Sequence, residues 1–476
     1  MQLTSKEMCS YMQGKLLVDN SSEQNQITDI VWDSRNVIAG DAYIAFPGEN
    51  VDGNDFAGSA LDKGAACVVC TRLPEEDVLK KAEMKNASVI LVNDAFEALD
   101  NLAFGWRRRL QGTVIAITGS TGKTTTKNLI RDILSQEYSV VATKGNQNNE
   151  IGAPKTILNA SEDTDFIVVE MGMCGFNEIR PLCSIAQPEL AIITNVGESH
   201  IELLGSRENI ARAKSEIAEQ LPEKTGRLFL NAGDGFAEFI QEITHTKQRG
   251  IDVCLYDGSG NPGKEAKVFA TNIQLSDEGK PEFTLHIDGE EIHICLGLRG
   301  LHNVWNACAA AAVASSLGIS IEKIAQVLAQ VKPEPGRQEI LHTKSGMTVI
   351  NDSYNANPES MAASLNMFAS MKVKGKRIAV LGDMAELGDF AQAGHERMGS
   401  LAAQLPIDAL ICVGSLARFI ASSARKSGFN SEAITEVDSV EEALDAVRSI
   451  AKDEDTVLVK ASNSTGLKYV VEGLVD

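Results

Sequence analysis

The sequence predicts an α/β protein built from three domains, and three observations carry that expectation. An apolar, β-branched run, Thr113-Val114-Ile115-Ala116-Ile117, enters a glycine loop, beyond which Leu129, Ile130, Ile133 and Leu134 recur at helical spacing. Strand-like apolar runs then alternate with helical segments, as parallel sheets with crossover helices require. Third, Val331-Lys332-Pro333-Glu334-Pro335-Gly336-Arg337 has the Pro/Gly punctuation of a hinge. At 476 residues the chain is too long for one ordinary domain. The expected units are residues 1–108, a small α/β N-terminal domain; 109–331, a doubly wound central domain with a mostly parallel sheet around a P-loop; and 332–476, a Rossmann-like C-terminal domain.

In the first unit, short strands are expected at Ile27 to Trp32, Ala42 to Phe46, Ala66 to Val69 and Ser88 to Val92. Asp33-Ser34-Arg35 follows the first of them. It reads either as a turn with a local ion pair or as an anion contact through the arginine fork. Cys67-Val68-Val69-Cys70 lies in a strand, where residues three apart face opposite sides, so it reads as core rather than a metal pair. The basic run Arg107-Arg108-Arg109 reads as a solvated segment ahead of the central domain.

The second unit begins with Gly119-Ser120-Thr121-Gly122-Lys123-Thr124-Thr125. Glycines let the backbone wrap a phosphate closely, and unpaired N–H groups at a helix N-terminus favour an anion. Lys123 would lie over the terminal phosphates and the Thr124 hydroxyl on Mg²⁺. The general P-loop's first glycine would fall at position 117, which is Ile, so the loop points to a subfamily. Two later strands end in Glu170 and in Asn195-Val196-Gly197-Glu198-Ser199-His200. Ligands gather at the carboxyl ends of such strands, and a carboxylate with an imidazole there suits a divalent metal. Lys214 sits in a helical segment, Glu208 to Gln220, where a surface lysine is the plain reading. Residues 251–298 alternate as an antiparallel edge or insert, and Gly300-Leu301-His302-Asn303 leads into an Ala-rich helix ending near Gly318.

In the third unit, strands are expected at Thr348 to Ile350, Arg377 to Leu381, Ala409 to Val413 and Thr456 to Val459. Two polar clusters at strand ends, Asn351 to Pro358 and Gly382 to Gly388, read as a small-molecule site. The net charge of −21 argues against nonspecific nucleic-acid binding. Nine scattered cysteines point to a reducing compartment. No apolar signal region opens the chain, and no run of about 18 apolar residues suits a membrane span. A soluble, cytoplasmic protein is expected.

Taken together, Thr118 to Thr124, Gly145-Asn146-Gln147-Asn148-Asn149, Glu170-Met171-Gly172, the loop ending at His200 and Lys214 at its usual spacing resemble the Mur ligases. Asn351 to Pro358 and Gly382 to Gly388 resemble the branch that adds a dipeptide. The resemblance runs from Asp33-Ser34-Arg35 to Lys460 and implies a domain for a UDP-sugar precursor, one for ATP and a mobile third. It implies that ATP phosphorylates the terminal carboxylate of UDP-MurNAc-tripeptide and that the amine of D-Ala-D-Ala attacks the acyl phosphate. It implies catalytic roles for Lys123, His200, Lys214 and Arg337, with Thr124 and Glu170 on one Mg²⁺ and His200 with carbamylated Lys214 on a second. Gly119, Ser120, Thr121, Gly122, Thr125, Asn303, Asp352, Tyr354 and Asn355 would complete the ATP site. Asp33, Ser34, Arg35, Asn146, Asn148, Asn149, Asn357, Asp383 and Glu386 would meet the two acceptor substrates. A monomer is expected. One departure stands out: where the family often has Lys-Gly-Ser-Arg, this chain has Lys460-Ala461-Ser462-Asn463.

Overall fold

The computed structural model describes residues 1–22, 26–48, 51–263 and 265–475. It holds three sheets in chain order. In the first, Asp29–Val31, Asp41–Ile44, Cys67–Cys70 and Ser88–Leu91 run parallel, and Lys15–Val18 closes one edge antiparallel to Ser88–Leu91. That last strand has no sequence expectation; half-buried, it lacks the apolar run that marked the others. Asp41–Ile44 and Cys67–Cys70 are buried along their whole length, because helices cover both faces of the parallel strands. The two cysteines behave as expected: Cys67 packs into one core and Cys70 into the opposite one.

The central sheet has nine strands. From one edge these are Val140–Ala142, Phe166–Glu170, Thr113–Thr118, Leu190–Ile193, Arg227–Asn231, Asp252–Asp257, Val268–Leu275, Pro281–Ile287 and Glu290–Cys295. All neighbours are parallel except those made by the last two strands, the expected antiparallel edge. The chain leaves Thr113–Thr118 toward one edge and later returns on its other side. The carboxyl end of that strand is therefore the topological switch where α/β sheets open a crevice. Helix Lys123–Leu134 starts there and buries Leu129, Ile130, Ile133 and Leu134. Against it lies His302–Ser316, whose Ala309 to Ala312 are buried; small side chains let the two helices approach closely.

The third sheet orders Glu339–His342, Thr348–Asp352, Thr456–Lys460, Arg377–Gly382, Ala409–Val413 and Ile434–Val437, with only the first strand antiparallel. The two edge strands, Glu339–His342 and Ile434–Val437, are partly polar and half-exposed, which hid them from a reading of apolar runs.

One expectation is corrected. Arg107 is buried, not solvated: helix Ala95–Arg107 packs on the central domain, joining Leu99, Leu102 and Trp106 to Ile157 and Ile185 in one core. Its guanidinium donates to the carbonyls of Ala186 (2.9 Å) and Leu110 (3.1 Å) and pairs with Glu189 at 2.8 Å. Arg107→Ala is expected to destabilise the fold by about 2–4 kcal/mol, and exposed Arg108→Ala by no more than about 0.5, both read as denaturant midpoints. Among the described residues no helix is long and apolar enough to cross a membrane.

Candidate active site

At the end of Thr113–Thr118 the backbone turns through Gly119 (φ 150°) and Gly122 (φ 77°). Neither position has room for a side chain. A Cβ on Gly119 would fall 1.8 Å from Thr194 Oγ1, and one on Gly122 would fall 2.3 Å from Asn306 Oδ1. The Ala-rich helix thus sets the floor of the loop. Asn195, which the sequence suggested only as part of a converging loop, shapes its wall: its Oδ1 accepts the Ser120 and Thr121 N–H groups at 3.0 and 2.9 Å.

Lys123 curls back, with Nζ donating to Gly119 O at 2.7 Å. Burial holds its pKa below the ordinary lysine value, Glu170 pulling the other way. Thr124 Oγ1 donates to Glu170 Oε1 at 3.1 Å, and Asn148 Nδ2 donates to the same oxygen at 2.8 Å. The other oxygen, Oε2, is buried with no hydrogen bond and only Lys127 Nζ at 3.5 Å. Lys127 was not anticipated, although it lies one turn beyond Lys123, on the same helix face. A buried carboxylate oxygen with an open valence beside a helix-start threonine fits a divalent cation.

The hinge docks onto this helix. Arg337 Nη2 donates to Thr124 Oγ1 at 3.2 Å, its guanidinium lies 4.2 Å over the Tyr354 ring, and Glu334 accepts from Asn128 at 2.6 Å. Asn303 is buried between Arg299 O and Asn306. His200 stands at the end of its loop with φ 62°. Glu386 Oε2 comes to 2.8 Å of its Nδ1 but out of line, leaving that nitrogen without a hydrogen bond. Burial first, then Lys214 and Lys123, lower the imidazole's pKa to about 4, so the ring is neutral and able to ligate a metal. Lys214 corrects the surface reading: it is 1% exposed, and burial followed by Lys123 drives its pKa well below 10.5.

A cavity of about 1010 Å³ gathers these groups from all three domains, Asp100 from the first among them. Ser120 to Thr125, Asn146, Asn148, Asn149, Glu170, His200, Asn303, Arg337, Asp352, Tyr354, Asn355, Asn357 and Glu386 line it. Six anticipated residues do not. Gly119 and Lys214 lie behind the wall. Asp33 and Arg35 form a bidentate pair within their own turn, which holds the Asp33 carboxyl down at about 2, and Ser34 is buried beside them. Asp383 turns into its own domain, accepting the Ala417 N–H at 2.7 Å. Within the cavity, Asp352 is committed to a buried ion pair with Lys460 at 2.8 Å, and Asn357 caps the next helix. In place of the family's glycine, Ala461 is fully buried against Gly382, while Ser462, which keeps the family's serine, accepts the Ala385 N–H at 2.9 Å; Asn463 stands where the family has arginine.

The titrating groups fix a pH dependence. His302, partly buried on the cavity wall, is also lowered by burial to about 4, so the unfolded chain binds more protons at His200 and His302 between about pH 4 and 6.5. Their contribution is present above 6.5 and lost as pH falls. Asp100 acts oppositely: burial and nearby Asp94 and Glu150 raise its pKa to about 6, so stability from that site is lost as pH rises toward 6. The net expectation is a denaturation midpoint that rises from pH 4 to 6.5. Asp100→Asn should steepen the rise and add on the order of 1 kcal/mol at neutral pH.

The arrangement is that of a Mur ligase. Residues 26–106, 117–314 and 336–463 match the models "Mur ligase family, catalytic domain", "Mur ligase middle domain" and "Mur ligase, glutamate ligase domain". The UDP-N-acetylmuramoyl-tripeptide–D-alanyl-D-alanine ligase of Bacillus subtilis is 36% identical over 99% of this chain and 98% of that protein. That of Escherichia coli is 33% identical over 94% and 93%. Among solved structures, MurF from Acinetobacter baumannii superposes with a TM-score of 0.85 at 30% identity, covering 100% of this chain and 99% of its own. MurF from Thermotoga maritima in complex with ADP gives 0.77 at 28%, covering 94% and 97%. The chain belongs to the Mur ligase family, in its MurF branch.

Proposed function

We propose that the chain is the ATP-dependent ligase that joins D-alanyl-D-alanine to UDP-N-acetylmuramoyl-tripeptide, giving UDP-MurNAc-pentapeptide, ADP and phosphate for peptidoglycan synthesis. The observation that carries this is the cavity in which the Lys123 loop and the shelf Asn146, Asn148 and Asn149 of the central domain meet Arg337 and Tyr354 of the C-terminal domain. A tripeptide carboxylate oxygen attacks the γ-phosphorus, a C–O–P bond forms and ADP leaves. The dipeptide amine then attacks the carbonyl carbon. The C–O bond breaks, phosphate departs with that oxygen, and the amine loses a proton.

Bringing two polyanions together needs fixed cations, since attraction within a dry site is strong and costs no reorganisation during reaction. Lys123 and Arg337 face the transferring phosphoryl group, and Asn303 packs beside the adenine. Thr124 and Glu170 would hold one Mg²⁺, whose chemistry is to neutralise phosphate charge. His200 and Lys214 would hold a second. Burial disfavours the charged form of Lys214; the neutral amine is the form that adds CO₂, and the carbamate would turn it into an anionic ligand. Asp352, Tyr354 and Asn355 serve the nucleotide side, Asp33 to Arg35 the uridine diphosphate, and Glu386 the dipeptide end. The enzyme acts as a monomer in the cytoplasm.

The test is phosphate release with MgATP and UDP-MurNAc-tripeptide across a panel of acceptors. Turnover with D-Ala-D-Ala alone supports the reading. Turnover with a single amino acid moves the chain to a sister ligase.

A further inference from the structure

The loop Val196 to His200 touches two domains at once. On one side it leans on the phosphate loop: Gly197 N–H donates to Ser120 Oγ at 2.8 Å, and Ser199 Oγ donates to Ser120 O at 3.3 Å. On the other it is gripped by the C-terminal domain. Arg397 takes both carboxylate oxygens of Glu198, at 2.7 and 3.3 Å. Glu198 N–H donates to Glu359 Oε1 at 3.1 Å, and Asn357 Nδ2 donates to Ser199 Oγ at 2.6 Å. Gly197 leaves room for the Glu359 carboxylate, since a Cβ there would fall 1.9 Å from Glu359 Oε2 and push that side chain aside. His200 ends the loop.

We infer that Glu198 and Arg397 are positioning residues: seating of the C-terminal domain sets the His200 loop against the phosphate loop through this ion pair. The inference rests on the ligase reading and adds a device to it. Glu198 and Glu359 bring two carboxylates together across the domain boundary, balanced by Arg397 and by Arg207, which donates to Val196 O at 2.7 Å. Removing Arg397 leaves two anions facing each other and favours the open arrangement. The pair is half-exposed, at 50% and 32% for the two side chains, so it adds little to fold stability. Its loss should appear in turnover and in shape, not in folding.

Arg397→Ala is expected to lower kcat about tenfold while the ATP KM, set chiefly by the Ser120 to Thr125 loop, which Arg397 does not touch, stays within about twofold. The reversed pair Glu198→Arg/Arg397→Glu should recover most of the loss, with denaturation midpoints unchanged throughout. In small-angle X-ray scattering with ADP bound, Arg397→Ala should be more expanded than the wild type. A kcat within about twofold of wild type, a reversed pair no better than the single variant, or superimposable scattering would overturn the inference. Absence of dipeptide-dependent turnover in the wild type would count against the ligase reading, and scattering would still judge the ion pair.

Discussion

Lys123→Ala is expected to lower kcat by about a thousandfold or more, the largest effect of any single substitution. Its Nζ is held 2.7 Å from Gly119 O at the mouth of the helix, so the cation is already placed before any phosphate arrives. The KM for UDP-MurNAc-tripeptide should change far less, because the contact proposed for the lysine is with the phosphoryl group and not the precursor. Lys123→Arg is expected to rescue poorly, since the enclosed loop fits a slender ammonium and not a planar fork. Steady-state kinetics on folded protein check both points. Near-normal kcat in Lys123→Ala would remove the phosphate loop from the chemistry.

Lys214 gives the second large effect. Lys214→Ala should cost about a hundredfold or more in kcat, and added bicarbonate should not restore it. Lys214→Met separates chemistry from folding. The position is 1% exposed and disfavours a charge, so an apolar chain of similar length should leave the denaturation midpoint unchanged or higher while activity falls. Full activity in either variant would end the metal-ligand role.

What was legible in the sequence is what is local. The phosphate loop, Thr124 and Glu170 could be read because strand, glycine and helix signals sit within a few residues of each chemical group. The same locality misled at Arg107, where three arginines in a row look solvated until the helix is seen to carry the first beneath Glu189. Lys127 was hidden by the helix face it shares with Lys123. Asn195 was legible as a strand end but not as the acceptor of two P-loop amides, since that depends on Leu190–Ile193 pairing beside Thr113–Thr118. The contacts of Arg397 with Glu198, and of Asn357 with Ser199, join residues 199 and 158 positions apart and exist only once two domains are packed. The polar cluster around Asp383 marked a strand end correctly, yet the carboxylate caps a neighbouring helix, a use that composition cannot distinguish from substrate contact.

The central claim is that this cavity activates a carboxylate by phosphorylation before an amine attacks it. The direct measurement uses UDP-MurNAc-tripeptide labelled with oxygen-18 in the terminal carboxylate, turned over with MgATP and D-Ala-D-Ala. The released phosphate is then analysed by mass. The account predicts one labelled oxygen in each phosphate and release that requires the dipeptide. Unlabelled phosphate, or release indifferent to the dipeptide, would contradict it.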